Sequence, residues 1–382
     1  MKIIYIANIR IPTEKAHGIQ IVKMCEAFAD LKAQVELIIP RRFNRIKEDP
    51  FDYYGIKRNF KIKKLFCLDL IPLDKYIGHL GFWIESATFY FFTFFHLFFK
   101  KVDIIYTRDK LFLFYALFFK NLIYEAHGFP KKYFLSHLFF KRLKRIVVIT
   151  QKLRDLFIEQ GIPENKILVA PSGVELRDFD IEDDKEKYRR ELNLPENKII
   201  IGYVGRLETM AKEKGIDILI KAFKILKEEN EDILLCIVGG PIERIKGYQD
   251  LAKKIGLKEK EIIFTGQIRQ KLIPKYLKSF DFLTMPYPWT EHYAFYMSPL
   301  KLFEYMASKR PIVASDLPSI REILNENNSL LVEPDNPKRL AEGIKNVLGN
   351  SNFSAKISNQ AFQDVQNYTW QKRAGKILEF IK

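Results

Sequence analysis

The sequence predicts an α/β protein built from two doubly wound, parallel-sheet domains, and three observations carry that prediction. The first is an internal echo. Residues 2–39 read as a strand (KIIYIAN), a polar loop ending at His17-Gly18, a helix (IQIVKMCEAFADL) and a strand (VELIIP). Residues 198–238 repeat the order: KIIIGYVG, a polar loop ending at Lys214-Gly215, IDILIKAFKILKEE and ILLCIVGG. The second is the continuity of the apolar runs, the mark of parallel strands buried on both faces. The third is the length, 382 residues, which suits two domains better than one.

Each helix shows apolar residues at three- and four-residue spacing, as in Ile19, Val22 and Phe28, or Ile216, Leu219 and Phe223. The first domain, assigned to residues 1–170, continues through strands at 102–107, 121–126 and 145–150. A helix from Gln151 stops at Gly161 and Pro163, and the strand KILVAP follows. A Pro/Ser/Gly turn and a charged run mark residues 171–196 as a linker region. The second domain is assigned to 197–365, and 366–382 to a closing helix expected to pack back on the first domain. Residues 82–99 hold nine Phe or Tyr rings and a Trp, interrupted by Glu85 and His96. They read as one or two buried or interfacial helices.

Composition limits the function. Cys25, Cys67 and Cys236 are widely spaced, which argues against a disulfide framework or a zinc site and fits a reducing compartment. No signal peptide and no uninterrupted span of about 20 apolar residues is visible, so a cytoplasmic protein is expected. The net charge is +16, and residues 1–150 carry 26 Lys and Arg against 13 Asp and Glu. That asymmetry points to an anionic partner: acidic lipid, nucleic acid or a phosphorylated substrate. A Lys-rich solvated surface would give the same count.

Three segments carry candidate chemistry. In GYVGRLETMAKEKGID, Gly205 lets the backbone turn, Arg206 stands at the carboxyl end of a strand, and Lys214 precedes a helix. Two cations and a helix amino terminus form a diphosphate site without a metal; a surface Arg and Lys in an ordinary loop would look the same. In SPLKLFEYMASKRP, Ser298 reads as the N-cap and Pro299 as the first helical residue. The Leu300 and Lys301 amides would then be free for an anion, and Glu304, one turn on, could accept from ribose hydroxyls. Alternatively, Glu304 pairs with Lys301 or Lys309. In EAHGFP, His127 follows a buried strand. Asp178-Phe179-Asp180 has the letters of a metal site but lies in the linker region; no metal is expected.

The segments 163–180, YVGRL…KGID…AF (203–223), IVGG (237–240), FTGQI (264–268) and 298–324 together resemble glycosyltransferase family 4. The resemblance covers nearly all of the second domain and scattered points of the first. It implies the GT-B fold, two Rossmann-like domains facing a central cleft. It also implies sugar transfer from a nucleotide-diphosphate sugar, a co-substrate rather than a cofactor, with retention and without metal. By the same resemblance Arg206 and Lys214 hold the donor diphosphate and Glu304 the ribose. Gly18 lies near the phosphates, His127 contacts the donor sugar, and Gly239 and Gly266 line the nucleotide pocket. One departure is evident: the family's first motif Glu is Tyr296 here, with Glu291 as a candidate substitute carboxylate, and Pro299 has no amide to give a phosphate. The expected partners are the donor, a glycan or lipid-linked acceptor, and an anionic membrane surface contacted peripherally, on its inner face. Other readings of the same letters are a nucleotide-sugar 2-epimerase, a catalytically dead homologue and a basic nucleic-acid-binding protein; the aromatics of this chain, gathered in an apolar run, speak against nucleic acid.

Overall fold

The computed structural model describes residues 1–129, 133–209 and 212–382. It comprises two compact units, Met1–Ser172 with Trp370–Lys382, and Gly173–Thr369.

The first unit is built on seven parallel strands: β1 (Lys2–Ile6), β2 (Gln34–Pro40), β3 (Lys61–Leu65), β4 (Ile104–Thr107), β5 (Leu122–Ala126), β6 (Arg145–Val148) and β7 (Ile167–Val169). Their order is β3-β2-β1-β4-β5-β6-β7. The chain therefore winds one way from β1 to β3 and the other way from β4 to β7, a doubly wound sheet with its switch point between β1 and β4. The strand β3 gives no apolar signal in the sequence because it is an edge: KIKKL presents lysines to solvent, which also discourages pairing with another chain.

The second unit repeats the plan with six parallel strands: β8 (Ile199–Val204), β11 (Ile233–Val238), β12 (Ile262–Gly266), β13 (Phe282–Met285), β14 (Ile312–Ser315) and β15 (Leu330–Val332), in the order β12-β11-β8-β13-β14-β15. A small antiparallel pair, β9 (Glu208–Thr209) and β10 (Lys212–Glu213), follows β8. The helix Ile216–Glu229 buries Ile216, Leu219, Ile220, Phe223 and Leu226 against the sheet, the face its periodicity predicts.

One sequence assignment needs correction. The 171–196 segment is not a separate linker, since the second unit begins at Gly173. Within it, Arg189 on the helix Lys185–Glu191 is buried and donates to the carbonyls of Ser279, Glu196 and Lys198 and to Asp281. A charged run looks like a linker until one of its arginines is found tying together three segments. The closing helix, Trp370–Ile381, belongs to the first unit, where it buries Trp370, Arg373, Ala374, Ile377 and Ile381.

The aromatic run forms one helix, Leu80–Phe98, and its amphipathicity is inverted. The buried face holds Glu85, Ser86, Phe89, Tyr90, Thr93 and Leu97. The exposed face holds Trp83, Phe91, Phe95 and Phe98, the last 67% exposed, and Phe99 beyond it is 79% exposed. The rings adjoin one another, from Phe66 through Phe92, Phe91, Phe95 and Phe94 to Phe98. No helix among the described residues is long and apolar enough to cross a membrane.

At the centre of the second sheet, Gly202 in β8 pairs with Cys236 on one side and Leu283 on the other, under the Phe280 ring. A Cβ there would lie 2.0 Å from Phe280 Cδ2. Gly202→Ala is expected to cost about 1–3 kcal/mol by overpacking. Adding Phe280→Leu should recover part of that loss, so urea unfolding of the double variant should show less than the sum of the two single effects.

Candidate functional site

In open α/β sheets, ligands bind beyond the carboxyl ends of the strands where the winding reverses. In the second unit that point lies between β8 and β13. The loop after β8 opens with Gly205, at φ 146°, and then Arg206. Gly239, after β11, has φ 139°, and a Cβ on it would lie 2.0 Å from the Gly205 carbonyl oxygen, so these two backbones approach more closely than any side chain permits. Lys214 follows β10, immediately before the Ile216–Glu229 helix. Its ammonium is pushed down to about 8 by burial and by the Arg206 guanidinium. A cation held where a second one disfavours its charge makes this a candidate site for an anion. Gly266 ends β12, two strands from β8.

The helix Leu300–Ala307 starts one residue later than the sequence suggested. Pro299 occupies the N-cap with no side-chain cap bond, and neither Ser298 nor Pro299 is helical. Pro299 gives its carbonyl to the Leu302 amide, while the Leu300 and Lys301 amides have no partner among the described residues. Glu304 accepts a 3.1 Å hydrogen bond from Gln270 Nε2 and forms no ion pair among the described residues, so the alternative pairing with Lys301 or Lys309 is not observed. Burial raises its carboxyl to about 7, against the lowering effects of Gln270 and Lys301. Tyr296, in the place of the family's first motif Glu, donates to Glu291 Oε1 at 3.1 Å. The substitution thus leaves a carboxylate beside the position, which the sequence spacing could only suggest.

In the first unit the organising group is Glu125, a fully buried carboxylate in β5. Gln20 Nε2 donates to its Oε1 at 2.7 Å, the Arg373 guanidinium lies 3.0 Å from the same oxygen, and the Tyr106 hydroxyl donates to Oε2. His127 Nε2 is 2.7 Å from Oε1. Burial alone would raise the Glu125 carboxyl, but Arg373 and His127 reverse that and hold it well below the usual range. An ionised carboxylate can only accept, so His127 carries its proton on Nε2 and Nδ1 keeps a lone pair. Burial and Arg108 push the imidazole down to about 4, despite the carboxylate beside it, so the ring is neutral at pH 7. Gly18 is fixed by packing rather than by an unusual backbone: a Cβ there would lie 2.4 Å from Thr13 Cγ2 and 2.6 Å from the Tyr54 hydroxyl oxygen. Its own amide donates to the Lys15 carbonyl. Pro130, the last residue of the EAHGFP segment, lies outside the described residues.

Sequence reasoning missed Gln20, Arg108, Glu125, Gln270 and Arg373. A Glu inside the apolar strand LIYEA was a usable signal, because a carboxylate there must find partners. Arg373 gave none, since nothing local reveals that the last helix delivers it to β5. Among the described residues, no group of His, Cys, Asp and Glu side chains is placed to hold a metal ion, Asp178 and Asp180 included.

Residues 184–364 match the family model described as glycosyl transferases group 1. An uncharacterized glycosyltransferase of Methanocaldococcus jannaschii is 30% identical over 226 residues, 58% of this chain and 55% of that protein. A D-inositol 3-phosphate glycosyltransferase of Corynebacterium urealyticum is 27% identical over 236 residues, 59% of this chain and 53% of that protein. The matched segments thus span about half the length of these relatives. The crystal structure of HepE from Anabaena, in complex with UDP and glucose, has the same fold, with a TM-score of 0.73 at 18% identity over 99% of this chain and 98% of that one. The fold is therefore GT-B, two Rossmann-like parallel-sheet units.

Glu125→Gln would leave Arg373 buried beside an uncharged amide, and is expected to cost about 3 kcal/mol. Because the Glu125 carboxyl is depressed in the folded chain, its contribution is complete above the ordinary value of 4.5 and is lost as the pH falls below it. Denaturant unfolding between pH 7 and pH 3 should therefore show a steeper acid loss in the wild type than in Glu125→Gln.

Proposed function

We propose that this chain is a retaining glycosyltransferase that takes a sugar from a nucleotide-diphosphate sugar without a metal ion. The observation that carries the reading is the group at the β8/β13 switch point. Arg206, Lys214 and the free amides of the Leu300–Ala307 helix supply positive charge, with Glu304 one turn beyond. Negative charge growing on a leaving diphosphate is stabilised by such preorganised groups, at no reorganisation cost during the reaction. Uridine nucleotides are the first donors to test, since HepE was crystallised with UDP. In the first unit, the neutral His127 offers Nδ1 as an acceptor for a sugar hydroxyl.

The test begins with a thermal-shift panel of nucleotide sugars. A donor that binds only the folded chain raises the melting temperature with the logarithm of its concentration. With that donor, turnover should survive EDTA and fall about a hundredfold in Arg206→Ala. No response to any nucleotide sugar overturns the reading, and loss of turnover on chelation, restored by magnesium or manganese, overturns its metal independence.

We further propose a lipid-linked acceptor reached at an anionic bilayer. The support is the inverted Leu80–Phe98 helix, whose exposed rings form one patch next to the exposed Lys101. A contiguous aromatic patch beside cations suits the bilayer interface. Two other cations are occupied within the fold: Lys100 pairs with Glu36 at 2.6 Å, and Arg145 donates to the Phe380 carbonyl. The chain should float with vesicles rich in acidic lipid at low salt, and Phe95→Glu with Phe98→Glu should abolish flotation. A wild-type chain that stays in the soluble fraction points to a soluble acceptor.

A further inference from the structure

The sequence pattern made Lys301 interesting only for its backbone amide. Its side chain is the more unusual group. Lys301 is 7% exposed, and its Nζ has no hydrogen-bond partner among the described residues. The ammonium lies 3.6 Å from the centroid of the Tyr203 ring and 5.3 Å from that of Tyr287. Both rings are buried, and the Tyr203 hydroxyl donates to the Arg206 carbonyl at 2.8 Å. The position is also fixed against the β8 loop, since a Cβ on Gly205 would lie 2.7 Å from Lys301 Cε and 2.8 Å from Nζ.

A buried ammonium without an anion in contact is costly, and attraction to aromatic faces returns only part of that cost. The charged groups that act on it are Lys214, which disfavours its charge, and Glu304, which favours it. Glu304 is held by Gln270 instead of pairing with Nζ. A chain that keeps such a group beside Arg206 and Lys214 keeps it for an anion that arrives from outside. Pro299, at the N-cap of the same helix, has no amide to offer an anion there.

We propose that the Lys301 ammonium is a phosphate ligand of the donor site, binding an oxygen of a nucleoside diphosphate in place of the amide that Pro299 lacks. The proposal rests on the donor-site reading above and adds to it a side chain and a reason for its burial. An anion at Nζ reverses the effects of burial and of Lys214, which otherwise hold the lysine well below its ordinary pKa.

The test uses Lys301→Met, which keeps an unbranched stem between the two rings, with Lys301→Gln as a second variant should the first not fold. The probes are inorganic pyrophosphate, UDP, ADP and GDP, and the nucleoside matching the tightest diphosphate, titrated calorimetrically. A charge-assisted hydrogen bond to phosphate predicts a loss of about tenfold to a hundredfold in diphosphate and pyrophosphate affinity. Nucleoside affinity should be unchanged, and the unliganded variant should melt no lower than the wild type, since an unpaired buried charge is gone. Diphosphate affinity kept within about twofold in the variant, while Arg206→Ala loses it, overturns the proposal and leaves the donor site standing. A lower melting temperature with equal losses for nucleoside and diphosphate also overturns it, as does failure of both variants to fold, because Lys301 then serves the fold. If no probe binds the wild type, the donor-site reading falls and the proposal with it.

Discussion

At the carboxyl end of β8, backbone segments meet at distances a single methyl group would break. A Cβ on Gly239 would lie 2.0 Å from the Gly205 carbonyl oxygen, and one on Gly215 would lie 1.6 Å from the carbonyl oxygen of Pro286. These contacts join the loops after β8 and β11 to the start of the Ile216–Glu229 helix and to the chain leaving β13. Backbone packed this closely has little freedom to shift, so the side chains it carries are held by the sheet rather than by their own rotamers. Arg206, Lys214 and Lys301 all depend on that junction. Its consequence is electrostatic: cations that disfavour one another are kept together where the backbone has little freedom to shift.

The first unit solves the opposite problem. Glu125 is a buried anion, and four side chains from four parts of the chain converge on it: Gln20, Tyr106, His127 and Arg373. Three of them meet Oε1 and Tyr106 donates to Oε2, so both oxygens have a donor, the condition under which a buried carboxylate is tolerated. The arrangement fixes the His127 tautomer and, through Arg373, fastens the last helix to β5. A network closed in this way cannot lose one member without leaving another unsatisfied, so fold and site in this unit share one set of interactions.

Most of the fold was legible because parallel strands and amphipathic helices announce themselves in apolar periodicity, and because the two units open with nearly the same pattern. The edge strand β3 escaped since its lysines carry the information of an edge rather than of a core. Arg206, Lys214 and Glu304 were legible as letters at strand and helix ends. Their partners were not. Gln270 reaches Glu304 across 34 residues and Arg373 reaches Glu125 across 248, and no local spacing encodes contacts at that separation. The N-cap assignment failed for a smaller reason. Ser-Pro favours a helix start in general, but here Pro299 takes the extended N-cap conformation itself and the helix begins at Leu300.

The Leu80–Phe98 helix sets these lessons against each other. Hydropathy alone assigns its rings to a core, yet the buried face carries Glu85, Ser86 and Thr93 while Trp83, Phe91, Phe95 and Phe98 face outward. The buried polar groups have partners of unequal quality: Asn8 donates to Glu85 Oε2 and to Ser86, Thr93 donates to the Phe89 carbonyl within the helix, and Glu85 Oε1 has only the Arg42 guanidinium at 3.9 Å. The inward face thus spends part of its area on polar side chains while the rings face outward. The outward rings are then surplus to the stability of the unit. In water they cost free energy in proportion to their exposed apolar area, and a chain that retains a contiguous row of them gains only where something other than water covers the row.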